Sequence, residues 1–263
     1  MVSQDGVSRL RGLQSKIFLL VFVLFAAFLI VMCSPVPVLA GARRVEPLLT
    51  TRWGQRHPYN LFAPVNPTTG KHERLGCWSV AIAQILKHLR LQPYGYQHYK
   101  GDLYTIDGHF GHIFDWRLIA DALNEHSSPE EVRETALFCY YIAVVVQKNF
   151  GTGRYMGNSD VIRAELHDHC HCTTRRVSTA HHTPREIESF ISAELEQGRP
   201  LMLYVRPHAM VIDGYRVIRG DFEVHINFGW YGLCDGWYRL WGEIHTPIYT
   251  FTNPDRWIMA IRP

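Results

Sequence analysis

The segment from Leu75 to His88 most constrains how this chain can fold. From Cys77 onward its apolar residues recur at the spacing of a largely buried helix. Gly76 offers no capping side chain, so a cysteine opens this helix after a tight turn. A helix N-terminus presents free backbone N–H groups and a partial positive charge, which favour a thiolate over a thiol. Cys77 is therefore predicted to be either a nucleophile or, as free cysteines often are, a small buried apolar residue.

Helix signals continue through the first three-quarters of the chain. The segments predicted to be helical after the Cys77 helix are 115–125, 129–147, 159–167 and 183–197. Thr183 and Glu186 have the form of a capping box, and Pro129 stands where a first helical turn accepts proline. The stretches 51–71 and 93–111 are rich in turn-forming residues and are predicted to be irregular.

Strand signals dominate after Pro200. Short β-branched or aromatic runs, separated by Gly, Asp and Pro, are predicted to form strands over 201–205, 209–212, 222–228, 236–240 and 257–261. Because helices come first and strands later, the sequence predicts an α+β fold of two subdomains. The N-terminal part is helical and carries the Cys77 helix, and the C-terminal part is built on an antiparallel sheet.

The N-terminus has the features of a targeting segment. Basic residues precede an unbroken apolar run from Ile17 to Met32, and prolines and small residues lead up to Ala40. This pattern predicts a cleaved signal peptide over 1–40 or, alternatively, an uncleaved membrane anchor. Both place the rest of the chain outside the cytoplasm, either secreted or periplasmic, or attached to a membrane and facing outward. The formal net charge of +3 is too small to indicate a nucleic-acid partner.

The cysteines after the N-terminal segment are odd in number. They are Cys77, Cys139, Cys170, Cys172 and Cys234. In an exported protein cysteines are open to oxidation, and an odd number leaves one free or paired with another chain. For Cys170 and Cys172 the expectation is either a solvated loop or a disulfide from one of them to Cys139 or Cys234.

A cysteine nucleophile needs a base and a group that orients the base. His208 begins a strand-like segment at about the interval after Cys77 that separates Cys and His in papain-type enzymes. Asn227 is a natural orienting amide, with an aromatic residue after it to shield the hydrogen bond. His225 is the competing base, and His208 is preferred because Asn227 is then free to orient it.

These residues lie in motifs that resemble the streptopain family of papain-like cysteine peptidases, peptidase family C10. The resemblance covers about 48–263, and its blocks stand in the family's order. They are Gln55 with 58–60, Gly76-Cys77 with 81–87, 114–116, 208–214, 225–232 and 235–236. It implies a domain division into a signal segment (1–40), a short leader without an inhibitory prodomain (41–47) and a peptidase domain (48–263).

The resemblance also implies a role for each matching residue. Cys77 would be the nucleophile, His208 the general base and acid, and Asn227 the residue that orients His208. Gln55 would form the oxyanion hole with the backbone N–H of Cys77; from the residues alone it is a loop residue.

The surroundings of the histidine differ from the family pattern. Phe228 and Trp230 would lie where the family has tryptophans beside the catalytic histidine, so Phe228 is a departure. Tyr231 replaces a glycine, and Arg206-Pro207 replaces small residues before His208. Both of these changes are expected to narrow or reshape the substrate cleft.

A second chemistry is conceivable at the histidine- and cysteine-rich segment. His167, His169, Cys170, His171 and Cys172 are residue types that bind zinc, and on an extended segment they could converge on one ion. Their spacing matches no common zinc pattern, so no metal or cofactor is predicted.

The combined interpretation is an exported cysteine endopeptidase that acts on proteins or peptides through a thiolate–imidazolium pair. The chain is expected to be a monomer. Two alternatives stay open: a non-catalytic binding protein on the same fold, and an amidase or transglutaminase that acts on cell-wall peptides with the same triad.

Overall fold

The computed structural model describes residues 44–263. The described residues form four helices, which are α1 (Cys77–Leu89), α2 (Pro129–Val145), α3 (Ser159–Cys170) and α4 (Pro184–Leu195). Their strands before the last helix are β1 (Arg44–Val45), β2 (Gly95–Lys100), β3 (Thr105–Phe110) and β4 (Thr173–Ser178). The strands after it are β5 (Leu201–Val205), β6 (His208–Ile218), β7 (Asp221–Asn227), β8 (Gly236–Arg239), β9 (Ile244–His245), β10 (Thr250–Phe251) and β11 (Arg256–Arg262).

The main sheet is antiparallel and occupies the C-terminal part of the chain, as predicted. Its strand order is β4–β11–β5–β6–β7–β8, and β1 pairs with β6. Arg206 and Pro207 alone connect β5 to β6, and Val205 pairs with His208 across this turn. His208 is therefore the first residue of β6, at the N-terminal end of a long strand inside the sheet.

Helix α1 is the buried helix that its apolar spacing predicts. Its residues from Ser79 to Leu86 are all buried, and it packs against α2 and β6. The helix begins at Cys77 after Gly76, which has φ 90° and makes no side-chain cap. Such a positive φ favours glycine, because a side chain there would be strained. Arg90, in the left-handed conformation, ends the helix.

The apolar core consists of two clusters. One joins α1, α2 and the β2–β3 hairpin to residues of the main sheet, and includes Ile85, Phe138 and Val211. The other lies around α4 and strands β5 to β7, and includes Ile191 and Phe228. The helical part and the sheet part thus each bury apolar side chains, which is the predicted α+β organisation.

The prediction of a helix over 115–125 is wrong. These residues form turns whose backbone groups bond to distant parts of the chain. Arg52 N–H donates to the carbonyl of Asp121 at 2.7 Å, and Ala120 N–H donates to Thr135 Oγ1 at 2.9 Å. Tertiary hydrogen bonds therefore satisfy groups that a helix would have satisfied internally.

The segment predicted to be irregular over 93–111 contains a hairpin. Strands β2 and β3 pair from Gly95–Phe110 to Lys100–Thr105. Its glycines serve packing as well as turns: a Cβ at Gly108 would lie 2.6 Å from Val144.

Strand β4 was also not predicted; it pairs with β11 at the sheet edge. Elsewhere, the predicted helices and strands end within a few residues of the observed ones, except that β6 extends to Ile218.

The 51–71 segment is irregular, as predicted, but it does not merely cover the surface. Trp53 and Tyr59 are almost fully buried in the helical core. The predicted signal or anchor segment, 1–40, lies outside the described residues. Over 44–263, the structure contains no helix that is both long and apolar enough to cross a membrane.

Candidate active site

Cys77 lies at the N-terminus of α1, facing the start of β6. The backbone N–H groups of Ala209, Trp78 and Cys77 itself interact with its sulfur. Burial raises the pKa of the Cys77 thiol, while these N–H groups and the Lys148 ammonium lower it. Ala209 follows His208 directly, so the predicted nucleophile lies beside the start of β6, the strand that begins with the predicted base.

A pocket of about 320 Å³ opens beside the cysteine. Its lining includes Gln55, Gly76, Cys77, Lys148 and Tyr155. The carbonyl of Gln55 accepts a hydrogen bond from Leu75 N–H at 3.0 Å, which ties the Gln55 loop to the residues that precede α1. The structure thus brings Gln55 and Cys77 to the same pocket, although 22 positions along the chain separate them.

His208 is 8% exposed, and one ring nitrogen has a well-defined partner. Its Nε2 lies 2.8 Å from the carbonyl oxygen of Phe228. Because a carbonyl only accepts, Nε2 carries the proton and Nδ1 is the acceptor in the neutral ring. Burial lowers the pKa of His208 to about 4, against the effect of the Phe228 carbonyl. The neutral imidazole is therefore the resting form, as a base requires.

Aromatic rings surround the imidazole, as the resemblance implies. The ring of Trp230 lies 4.9 Å from the His208 ring, and that of Phe251 lies 6.1 Å from it. Phe228 is fully buried and stacks on Trp230 at 5.0 Å. These rings exclude water from the hydrogen bond between His208 and Phe228, which strengthens it.

Asn227 reaches His208 through a peptide group. The carbonyl of the Phe228–Gly229 peptide accepts from His208, and the N–H of the same peptide donates to Asn227 Oδ1 at 3.0 Å. The sequence predicted a direct hydrogen bond between Asn227 and the imidazole. In the structure the amide instead orients and polarises the peptide that binds the imidazole.

The remaining partners of Asn227 explain this difference. Gln84 Nε2 donates to Asn227 Oδ1 at 3.1 Å, and Asn227 Nδ2 donates to the carbonyl of Thr51 at 2.7 Å. Asn227 is 3% exposed, so each of its polar groups needs a partner inside the protein. The side chain therefore joins α1, the 51–55 segment and the turn after β7.

Asp235 was part of a sequence motif but had no predicted role. Its Oδ1 accepts a hydrogen bond from Phe228 N–H at 2.9 Å. Burial raises the pKa of Asp235 to about 6, although this N–H lowers it. Asp235 and Asn227 thus hold the two peptide groups that flank Phe228. The acidic residue of the 235–236 block was the available sequence signal.

Tyr231 packs on the loop that carries Gln55. Its hydroxyl accepts from Arg56 N–H at 3.0 Å, its own N–H donates to the carbonyl of Trp53 at 3.0 Å, and its ring covers Gly54. Tyr231 has φ 62°, so the turn keeps the backbone conformation that glycine favours. The expectation that this residue narrows or reshapes the cleft stays a prediction. Its observed contacts fasten the Gln55 loop to the turn after β7.

The competing histidine, His225, is instead hydrogen-bonded to Asp213. Its Nδ1 lies 2.7 Å from Asp213 Oδ1, and Asp213 Oδ2 accepts from Leu49 N–H at 3.1 Å. Asp213 is fully buried. His225 and Asp213 thus connect the residues after β1 to the sheet, which is a structural role.

The predicted alternative metal ligands do not converge. His167, His169 and Cys170 lie in the last turn of α3, and His171 ends that helix in the left-handed conformation. Side chains on a helix point about 100° apart, whereas the prediction assumed an extended segment. His169 contacts Glu165 and the carbonyl of Tyr94, and Cys172 donates to the carbonyl of Leu166. Over 44–263, no group of three or more potential ligands is arranged to hold a metal ion.

The structure shows neither of the alternatives expected for Cys170 and Cys172, which were a solvated loop and a disulfide to Cys139 or Cys234. Cys77, Cys139, Cys170, Cys172 and Cys234 are all free thiols. Cys139, Cys170 and Cys172 are buried among apolar residues of the helical core, which raises the pKa of each thiol. They act as small apolar side chains.

The sequence matches the model of the Peptidase C10 family over residues 53–238. Streptopain of Streptococcus pyogenes serotype M28 (strain MGAS6180) is 24% identical over 213 residues, which cover 72% of this chain and 53% of that protein. Streptopain of serotype M1 has the same identity and coverage. The chain spans about half the length of these curated relatives.

Two solved structures share the fold. Active wild-type interpain A cysteine protease of Prevotella intermedia superposes with a TM-score of 0.69 at 24% identity, covering 82% of this chain and 94% of that one. A prointerpain A fragment from the same organism gives 0.66 at 24% identity, covering 82% and 72%. These likenesses confirm the papain-like α+β fold. Because the family match spans most of the chain and includes Gln55, Cys77, His208 and Asn227, the chain belongs to the peptidase C10 family.

Proposed function

We propose that this chain is an exported cysteine endopeptidase that hydrolyses peptide bonds in proteins. The observation that carries the proposal is the approach of Cys77 to the start of β6. Its sulfur interacts with the N–H of Ala209, next to His208, while the Phe228 carbonyl holds the other side of the imidazole. That hydrogen bond makes Nδ1 the nitrogen that can take the proton of a thiol.

The reaction begins with proton transfer, because burial favours the neutral thiol and the neutral imidazole. His208 takes the proton from Cys77, and the thiolate attacks the carbonyl carbon of the scissile peptide. The amide of Gln55 and the backbone N–H of Cys77 stabilise the oxyanion. His208 then protonates the leaving amine, which leaves a thioacyl-enzyme.

Water completes the cycle. His208 accepts a proton from the water molecule that attacks the thioester carbonyl, and a second tetrahedral intermediate forms at the same oxyanion site. Its collapse releases the carboxylic acid product and returns the proton to the sulfur of Cys77. The exported location rests on the apolar run before Ala40, which the sequence places ahead of the enzyme domain.

Substitution of the cysteine tests this proposal. Cys77→Ala should abolish casein hydrolysis and labelling by a thiol-directed peptidase inhibitor, with mass spectrometry locating the label in the unmodified protein. Cys234→Ser is the matched control, because Cys234 is the other half-buried free thiol in 44–263. Full activity in Cys77→Ala would overturn the mechanism.

The same assay separates the alternatives. A folded protein with an unreactive Cys77 and no hydrolysis would support a binding protein. A reactive Cys77 that cleaves peptidoglycan fragments, with no action on casein, would support a cell-wall amidase. Either result would contradict the endopeptidase proposal.

A further inference from the structure

Lys148 is a buried cation that the mechanism above does not use. It is 2% exposed, and its Nζ donates to the carbonyls of Asn149, Thr152 and Arg154 at 2.9, 2.6 and 2.8 Å. These three acceptors match the three donors of an ammonium group. Among the ion pairs of residues 44–263 it has no carboxylate partner, so the hydrogen bonds of this buried charge go to peptide carbonyls.

The three acceptors belong to one loop, and that loop is a wall of the pocket beside Cys77. Gly151, Thr152 and Gly153 line the pocket together with Tyr155. Backbone hydrogen bonds from Asn149 to Arg154 and from Thr152 to Asn149 close the loop around the ammonium. Without the ammonium at its centre, the Thr152 carbonyl would lose its donor, and the Asn149 and Arg154 carbonyls would each lose one of theirs.

The stem of Lys148 runs directly behind the start of α1. A Cβ at Gly76 would lie 3.0 Å from both Cδ and Cε of Lys148, and 2.4 Å from the Tyr155 hydroxyl. That hydroxyl accepts a hydrogen bond from Ser79 N–H at 3.1 Å. The lysine, the loop and the first turn of the nucleophile helix therefore form one packed unit.

The anionic groups near the ammonium are Glu73 and, once ionised during the reaction, Cys77. Tyr155 presents its ring at 5.2 Å, and the Tyr99 hydroxyl donates to the Lys148 carbonyl. The Glu73 carboxylate attracts Lys148 but is itself bound by Asn66 and Tyr104. Charges on Cys77 and Lys148 stabilise one another: each shifts the pKa of the other toward the charged form.

We propose that Lys148 is a positioning residue for the peptidase reaction: its buried ammonium shapes the 149–154 wall of the cleft and stabilises negative charge on the sulfur of Cys77. The proposal rests on the proposed function, since it concerns the same nucleophile. Burial lowers the pKa of Lys148 to about 8, so the side chain is charged at neutral pH.

The pH dependence of thiol alkylation tests this inference without peptide hydrolysis. Lys148→Met keeps an apolar stem and removes the charge. We expect iodoacetamide to alkylate Cys77 about tenfold more slowly at neutral pH, because the loss of the ammonium raises the pKa of the thiol and lowers its thiolate fraction. Lys100→Met, at an exposed position of β2, is the matched control and should leave the profile unchanged. An unchanged profile in folded Lys148→Met would overturn the proposal.

A second measurement avoids substitution of the lysine. In protein with isotope-labelled lysine side chains, NMR titration of the Lys148 ammonium should give a higher pKa in Cys77→Asp than in Cys77→Ala, because the carboxylate places an anion at the position of the thiolate. Equal titration curves would contradict the coupling even if Lys148→Met does not fold. Failure of casein hydrolysis with both shifts present would instead reject the proposed function alone.

Discussion

His208 Nε2 donates to the carbonyl oxygen of Phe228 at 2.8 Å, and this bond leaves Nδ1 as the ring nitrogen that can accept a proton. A backbone carbonyl cannot rotate away as a side-chain amide can, provided that its peptide is held. Asn227 holds that peptide from its N–H side, and Asp235 holds the preceding one. The orientation of the proposed base thus depends on a main-chain turn.

Removal of the Asn227 amide tests this arrangement. Asn227→Ala should lower kcat/KM about 10- to 100-fold yet leave measurable activity, because the Phe228 carbonyl still binds His208. It should also lower the free energy of unfolding by about 2–4 kcal/mol, since buried groups lose their partners. Steady-state kinetics and urea unfolding measure the two effects. Gln84→Met, which removes only the Gln84 donor to Asn227, should have a smaller effect on kcat/KM and on stability. Wild-type kinetics in Asn227→Ala would show that Asn227 does not orient His208 through the Phe228–Gly229 peptide.

His208 makes stability depend on pH. Its folded-state pKa, about 4, lies below the ordinary value of 6.5. Between these values the unfolded chain binds a proton that the folded protein does not. The free energy of unfolding therefore falls by up to about 3 kcal/mol as pH falls from about 6.5 to about 4. Urea unfolding at pH 7 and pH 4 should show a smaller loss in His208→Gln than in the unmodified protein. Equal losses would show that His208 is not buried in its neutral form.

Asp235 should act in the opposite direction. Its folded-state pKa, about 6, lies above the ordinary value of 3.8, so the folded protein retains a proton that the unfolded chain has released. The contribution of Asp235 to stability is therefore lost as pH rises from about 4 to about 6. Asp235→Asn keeps an acceptor for Phe228 N–H and removes this titration. Relative to the unmodified protein, the variant should gain stability between pH 4 and pH 7; parallel stability curves would contradict the assignment.

The contact between Gly54 and Tyr231 is testable by a double substitution. A Cβ at Gly54 would lie 2.2 Å from the Tyr231 ring, so Gly54→Ala should displace the Gln55 loop. We expect a loss of about 1–3 kcal/mol in the free energy of unfolding and a fall in kcat. Gly111→Ala is the control, because a Cβ there meets nothing within 4 Å. Tyr231→Gly in the Gly54→Ala background should restore stability; no recovery would mean that the clash lies elsewhere.

Local sequence patterns predicted the elements that depend on near neighbours. The apolar spacing after Cys77 predicted α1, and the Thr183–Glu186 capping box predicted the start of α4, which the structure confirms. The same reasoning failed at 115–125, where apolar spacing looked helical but distant partners bind the backbone. It also failed at β2–β3, because Gly108 serves close packing against Val144 and had been interpreted as a turn signal.

The residue types of the candidate site were proposed from the order of Cys77, His208 and Asn227 along the chain, because each chemical role demands a particular functional group. Their hydrogen bonds were not readable. Whether Asn227 meets the imidazole or the neighbouring peptide depends on the backbone turn at Gly229 and on Gln84 and Thr51, which come from distant parts of the chain. Likewise, the buried position of Lys148 behind Gly76 follows from the packing of the 149–154 loop on α1. The sequence determines which functional groups are available, because each group belongs to a single side chain. The tertiary structure decides how those groups are hydrogen-bonded, because their partners come from segments far apart in the chain, and a local sequence pattern does not specify such contacts.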